Sequence, residues 1–301
     1  MSVVLSVRDV VKTFGSVRAV DGVSFTVRRG TITGLLGRNG AGKTTTIRMI
    51  TGIFLPDSGS IEWADNPVNA NDRVGYLPEE RGLYRTMKIV EYLSFLAEIK
   101  NAKTTTAKIE QWLRRFELSD KKGGKIEELS KGNQQKVQLI GALLHDPEFI
   151  ILDEPQSGLD PVNMVLVREL LQELRAEGRT ILLSTHMMAE AERMADDIIL
   201  VHSGKVVLSG TLEEVRNSFG RNTLHLDFEG DGSFLAELPD VRDASIQINS
   251  AEIGLKEGAD PQKVLAASIG RLRIRKFELA APSLEAIFMD KVGAETLENL
   301  Q

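Results

Sequence analysis

Apolar and polar positions change period several times along the chain, and each change predicts an element. Val23, Phe25 and Val27 alternate with Ser24, Thr26 and Arg28, the period of a half-buried strand. Residues 3–36 therefore read as β structure, with turns expected at Gly15, Asp21-Gly22 and Arg29-Gly30. Ile32–Leu36 is apolar apart from Thr33 and predicts a buried strand, after which Ile47 and Ile50 bring helix spacing to Thr44–Ile50. Leu55-Pro56-Asp57-Ser58-Gly59 ends that helix, and short strands follow at Ser60–Trp63 and Val74–Leu77.

From Lys88 to Phe116 the pattern is helical, with Leu93, Leu96 and Ile99 on one face and Trp112, Leu113 and Phe116 on another. A Gly-rich turn at Lys121–Lys125 closes this insertion, and Val137, Ile140 and Leu144 predict a helix after Gly132. Phe149–Leu152 reads as a strand buried on both faces. A helix through Val167, Leu170, Leu171 and Leu174, a strand at Ile181–Leu183, a helix near Met187–Ala195 and strands at Asp197–Val201 and Lys205–Ser209 complete the series. Strands alternating with helices imply an α/β domain on a mostly parallel sheet.

Composition shifts after Phe219-Gly220, so two domains are expected, 1–220 and 221–301. The second reads as strand Thr223–Phe228, short helix Phe234–Leu238, strands Asp243–Ile248 and Glu252–Lys256, helix Pro261–Ile269 and strand Arg271–Leu279. That β-α-β-β-α-β order is the split βαβ, or ferredoxin-like α+β, arrangement, followed by a terminal helix at Ser283–Lys291. Most of the net charge of −6 falls in this second part, and neither part has the basic excess expected for sequence-independent nucleic-acid binding. Cysteine is absent, which excludes disulfides, thiol catalysis and Cys-based zinc sites. No long apolar segment suggests a signal peptide or a bilayer span.

Chemistry enters at Gly37-x-x-x-x-Gly42-Lys43-Thr44, which follows a predicted strand and opens a predicted helix. Glycines let the backbone curl so that successive N–H groups, here from Gly37, Asn39, Gly40, Ala41, Gly42, Lys43, Thr44 and Thr45, face phosphate oxygens. Lys43 is expected to reach the β- and γ-phosphates of a nucleoside triphosphate, and the Thr44 hydroxyl to ligate Mg²⁺.

Leu129-Ser130-Lys131-Gly132-Asn133-Gln134-Gln135, shortly before Phe149-Ile-Ile-Leu-Asp153-Glu154-Pro155, narrows the class. With these residues the sequence resembles the ATP-binding-cassette (ABC) ATPases over residues 3–220. Their signature usually reads Leu-Ser-Gly-Gly-Gln, so Ser130 and Gly132 match while Lys131 and Asn133 depart. The resemblance implies a P-loop NTPase cassette with an antiparallel β subdomain and a helical subdomain at about 79–145. It places Phe14 where an aromatic ring stacks on adenine, and Asp153 where a carboxylate holds Mg²⁺ mostly through water. It makes Glu154 the residue that orients or deprotonates the attacking water, and His186 a γ-phosphate contact. Ser157-Gly158-Leu159-Asp160 matches the loop that crosses the dimer interface. Ser130, Gly132 and Asn133 of one subunit would cap the ATP of the other. After Tyr76-Leu77-Pro78 the family normally has glutamine; here Glu79 stands, a hard oxygen ligand suited to Mg²⁺.

These features imply an ATPase subunit that uses ATP and Mg²⁺, pairs with a second ABC ATPase subunit, identical or different, and drives a separate transmembrane permease. Its expected place is the cytoplasmic face of the membrane, as a peripheral subunit. Pro78–Tyr84 and Pro282–Phe288 resemble the subgroup containing sodium-extruding and drug-exporting systems, which points to export; Tyr84 and Met87 are candidates for the docking surface. The competing expectation is a soluble ABC ATPase acting on ribosomes or nucleic acid. Such proteins usually join two cassettes or carry a long coiled coil, and neither is present here. Arg271, Arg273 and Arg275 would share one strand face, as a contact for acidic partners or as a solvated face.

Overall fold

A computed structural model describes residues 2–64, 73–80, 82–100, 102, 106–219, 223–256 and 258–298. It divides into two units, Met1–Gly210 and Thr211–Gln301. The division falls ahead of the break expected after Gly220, which itself lies outside the described residues. The reason is local. Thr211 opens helix α7 (Leu212–Ser218) with a capping box, its hydroxyl accepting from the Glu214 amide while Glu214 accepts from the Thr211 amide. The segment just beyond that helix belongs to the second unit, where Lys291 Nζ lies 5.5 Å from the Phe219 ring centre.

In the first unit, β1 (Val3–Phe14) lies between β2 (Val17–Arg28) and β4 (Ser58–Trp63) in an antiparallel sheet. The turn expected at Asp21-Gly22 is instead an irregularity inside β2. Gly22 has a left-handed φ of 71°, and Asp9 on β1 (φ 48°) accepts from the Ser24 hydroxyl at 2.9 Å. An extra residue is absorbed as a bulge without reversing the chain.

The second sheet runs β5-β6-β7-β3-β8-β9, built from β3 (Ile32–Leu36), β5 (Val74–Leu77), β6 (Phe149–Asp153), β7 (Thr180–Thr185), β8 (Asp197–His202) and β9 (Lys205–Thr211). β5, β6, β7, β3 and β8 pair in parallel, so their carboxyl ends share one edge. Register places Leu36 beside Thr185, and Asp153 beside Ser184. Both sheets share one core, in which Val7, Val23, Leu35, Ile151, Leu182 and Ile199 are almost wholly buried. Trp63 packs edge-on against Phe149 with ring centres 4.9 Å apart. Burying each such large apolar side chain stabilises by about 1.5–3 kcal/mol.

Helix α1 (Lys43–Ile50) follows the phosphate loop, and α2 (Ile89–Ile99) and α3 (Thr106–Arg115) form the helical insertion. Part of the expected Lys88–Phe116 stretch, residues 101 and 103–105, lies outside the described residues. Leu93 is buried as expected, but Ile99, at the last turn of α2, is exposed, and Ile89, Tyr92 and Ala97 complete the buried face. Helices α4 (Lys131–Leu143), α5 (Pro161–Ala176) and α6 (Met188–Met194) follow.

The second unit holds an antiparallel sheet of order β11-β12-β10-β13, from β10 (Thr223–Glu229), β11 (Val241–Ile246), β12 (Ser250–Leu255) and β13 (Arg273–Ala280). This is the strand order of the expected ferredoxin-like arrangement. The first crossover is only a 3₁₀ turn at Ser233–Glu237, where a short helix is expected; Gly232 and Pro239 flank too few residues to propagate one. Helix α8 (Pro261–Ser268) makes the second crossover, and α9 (Leu284–Glu298) buries Leu284, Ile287 and Phe288. The three arginines do not form one face: Arg271 precedes β13 and lies 3.6 Å over the Phe234 ring, while Arg273 and Arg275 both pair with Glu229.

Candidate functional site

Parallel strand ends build the site. β3 ends at Leu36, and Gly37 begins a loop so close to β8 that a Cβ at Gly37 would lie 2.3 Å from the Val201 carbonyl oxygen. Gly42, at a left-handed φ of 104°, is similarly pressed on β2: its Cβ would lie 2.6 Å from the Ala19 carbonyl oxygen. Only glycine allows both approaches. Asn39 and Gly40 form the exposed tip, whereas Ala41 is buried and held by its carbonyl accepting from the Gly204 amide at 3.0 Å. The loop then feeds α1, whose first turn carries Lys43, Thr44 and Thr45 and contains no acidic residue.

Lys43 is buried. Its ammonium donates to the Gly37 carbonyl at 2.8 Å and lies 3.3 Å from Glu154 Oε1. Glu154, one residue past β6, is also buried, and its other oxygen Oε2 accepts from His186 Nδ1 at 3.0 Å. His186 itself is half exposed, one residue beyond β7. Lysine, glutamate and histidine thus form one connected line from the phosphate loop to the strand edge.

Asp153, the last residue of β6, is wholly buried. Burial pushes its carboxyl above the usual carboxylate range, and the hydrogen bond from Ser184 pulls it back. Its Oδ1 accepts from the Ser184 hydroxyl, whereas its Oδ2 is buried with no hydrogen-bond partner. The Thr44 hydroxyl donates to Glu79 Oε2 at 3.2 Å. A buried carboxylate oxygen without a donor, beside a threonine hydroxyl and a second carboxylate, is a donor set suited to a hard divalent cation. Among the described residues no group of three or more His, Cys, Asp or Glu could hold a metal alone, so phosphate and water would have to supply the remaining ligands.

Phe14 ends β1 and is 44% exposed, its ring edge-on to Phe54 at 5.4 Å between centres and 5.8 Å from Lys12 Nζ. Ser130 caps α4, its hydroxyl accepting from the Asn133 amide at 3.3 Å. Gly132 sits against the loop between β6 and α5, where a Cβ would lie 3.3 Å from the Gly158 carbonyl oxygen. Asp160 caps α5, accepting from the Asn163 amide at 3.0 Å, and these amide bonds hold its carboxyl below the usual range.

The structure therefore brings together Lys43, Thr44, Glu79, Asp153, Glu154 and His186. Phe14 makes its ring contacts with Phe54 and Lys12 instead. Among the described residues, no hydrogen bond or ion pair joins Ser130, Gly132 or Asn133 to this cluster. Ser184 was not among the expected site residues. Its signal was a polar residue directly after the apolar run Ile181-Leu182-Leu183. Gln156 and Glu190 were missed as well: buried Glu190 accepts from Gln156 at 3.4 Å and pairs with Arg168 and Arg193 at 3.1 and 2.6 Å. Only the i,i+3 pair Glu190–Arg193 is local in the sequence; Gln156 and Arg168 lie elsewhere in the chain.

Comparison with known proteins agrees with this geometry. A family model described as "ABC transporter" matches residues 20–157, and one described as "ATP-binding protein DrrA1-3-like, C-terminal domain" matches residues 210–292. The Bacillus subtilis protein named "Uncharacterized ABC transporter ATP-binding protein YhaQ" is 42% identical over 96% of this chain and 99% of its own length. The "Nod factor export ATP-binding protein I" of Burkholderia lata is 34% identical over 96% of each. A solved "ATP binding subunit of ABC transporter" superposes with a TM-score of 0.65 at 36% identity, covering 72% of this chain and 93% of that one.

Proposed function

The chain belongs to the ATP-binding subunits of ABC transporters, which are ATPases, and from that membership we propose that two copies of it close on ATP at a shared seam and drive export through a separate membrane-spanning subunit. The observation that carries the seam is the separation of the half-sites. Among the described residues no hydrogen bond or ion pair joins Ser130, Gly132 or Asn133 to the Lys43 cluster of the same copy, and Gly132 packs against the loop 157–160; in this reading a second copy supplies the missing contact. Ser130 and the Gly132 amide open helix α4, and a helix start favours an anion. Phe14, 44% exposed, is the adenine contact in this reading.

Phosphoryl transfer needs positioning and charge neutralisation more than covalent chemistry. Lys43 holds the phosphates and His186 the terminal one, while Glu154 places and deprotonates the attacking water. Lys43 and His186 flank the Glu154 carboxylate on opposite oxygens, which fixes its direction before any water arrives. When bound, Mg²⁺ would neutralise phosphate charge; Thr44, Glu79 and Asp153 are the residues that would hold it.

Glu79 makes this cassette's metal dependence distinctive. In Glu79→Gln the Thr44 hydroxyl keeps an acceptor but the site loses a charge. The Mg²⁺ concentration for half-maximal ATPase should rise roughly tenfold, as when a metal's supporting ligands are altered. Superimposable activation curves would remove the idea.

Export and the membrane partner are supported by the relatives' printed roles and by Tyr84. Its ring is 56% exposed and edge-on to Phe95, itself partly exposed, at 5.7 Å between centres. Among the described residues no helix is long and apolar enough to cross a membrane, so a spanning path must come from another segment or subunit. The chain tagged at its N-terminus and recovered from solubilised membranes should carry a hydrophobic protein with it. Recovery with ribosomes instead would favour the competing reading. The unit Thr211–Gln301 is an accessory module, for dimerisation or regulation.

A further inference from the structure

Strand β7 carries a polar side chain in a wholly buried position to which the mechanism above gives no role. Ser184 is 0% exposed and pairs with Asp153 on β6 and with Leu35 on β3. Its hydroxyl donates to Asp153 Oδ1 and accepts from the Glu154 amide at 3.0 Å. A hydroxyl has one hydrogen and two acceptor lone pairs, so it makes both bonds at once. The same Glu154 amide lies 3.2 Å from the Ser184 carbonyl oxygen, so one residue receives it twice.

The need for such a fixture is visible in the backbone. Glu154 has a φ of 50°, a left-handed conformation that a residue with a Cβ adopts only when its surroundings hold it. That turn, immediately after Asp153, sends consecutive side chains to different tasks. Asp153 keeps its bare Oδ2 in the metal corner, and Glu154 reaches Lys43 and His186. An alanine at 184 would leave Asp153 Oδ1 without its serine donor and halve the restraint on the Glu154 amide. Neither loss removes the close approaches of Gly37 and Gly42 or the Lys43 bond to the Gly37 carbonyl that shape the phosphate loop.

We propose that Ser184 is a positioning residue for hydrolysis: its hydroxyl sets the Asp153 carboxylate and the turned Glu154 backbone in one fixed relation. This rests on the reading of Asp153 as the metal-side carboxylate and Glu154 as the water-side one. A purely structural serine would instead cost stability and affect every ligand equally.

Ser184→Ala and Ser184→Thr in the full chain separate the two. For Ser184→Ala, kcat should fall roughly ten- to a hundredfold, the cost of a lost hydrogen bond to a charged group. KM for ATP and ATP affinity without divalent ion should stay close to wild type. Mn²⁺ bound to the ATP complex, read by electron paramagnetic resonance, should be held more weakly. Ser184→Thr, which keeps the hydroxyl, should recover most of both losses. Wild-type kcat and Mn²⁺ binding in Ser184→Ala would overturn the proposal, as would equal losses in kcat, metal-free ATP affinity and thermal midpoint for both variants. Glu154→Gln serves as the reference. If it hydrolyses normally, the site reading fails and this inference with it; if it is inactive while Ser184→Ala is normal, only this inference fails.

Discussion

Glu154→Gln should turn over ATP about 10³-fold more slowly than the native chain, the usual worth of a positioned general base, while still binding ATP. Glutamine has the same shape and the same left-handed backbone to accommodate, so the turn after Asp153 is not relieved. What changes is the charge. A carboxamide cannot take a proton from water, and it gives Lys43 no counter-charge at the 3.3 Å now spanned by an ion pair. The phosphate loop is untouched, because its shape depends on Gly37, Gly42 and the Ala41–Gly204 contact. ATP should therefore accumulate unhydrolysed and hold two cassettes together. Turnover measured alongside size-exclusion chromatography in ATP would show a slow enzyme and a larger species. Normal turnover would remove Glu154 from the chemistry.

Lys43→Ala and Gly132→Asp should each abolish hydrolysis for different reasons. Losing the lysine leaves Glu154, 6% exposed, without its cation; stranding one partner of a buried pair costs about 3–5 kcal/mol. ATP affinity should drop by about 10²-fold, the lower range for truncating one partner of a buried charge pair. Equilibrium binding of a fluorescent ATP analogue would measure it. An aspartate at 132 instead brings negative charge to a helix start meant for phosphate, and its Cβ crowds the Gly158 carbonyl. This variant should bind ATP at its own phosphate loop normally and fail only when a second copy must close over it.

How much was legible in the sequence follows from the kind of force involved. The mostly apolar stretches at 32–36 and 149–152 read as buried strands, and Gly37-x-x-x-x-Gly42-Lys43-Thr44 between strand and helix needed no tertiary information. Asp21-Gly22 was misread because a left-handed glycine makes a bulge as readily as a turn, and only the partner strand decides between them. Ile99 has helix spacing but sits at the last turn of α2, where the helix ends and its side chain stays exposed. The bonds from Ser184 to Asp153 and Glu154, and from Gln156 to Glu190, join residues about thirty positions apart, which meet only once the strands are in register. Arg271 left its expected strand face because an aromatic ring across the fold, Phe234, offers a better partner than solvent.

The shared seam is tested most directly by mixing Lys43→Ala and Gly132→Asp chains in equal amounts. A mixed pair holds one good phosphate loop opposite one good signature, so random pairing should restore about a quarter of native turnover, since half the pairs are mixed and each has one intact site of two. Turnover no higher than that of the two inactive variants measured apart would contradict the account, because it would mean that each chain completes its own site.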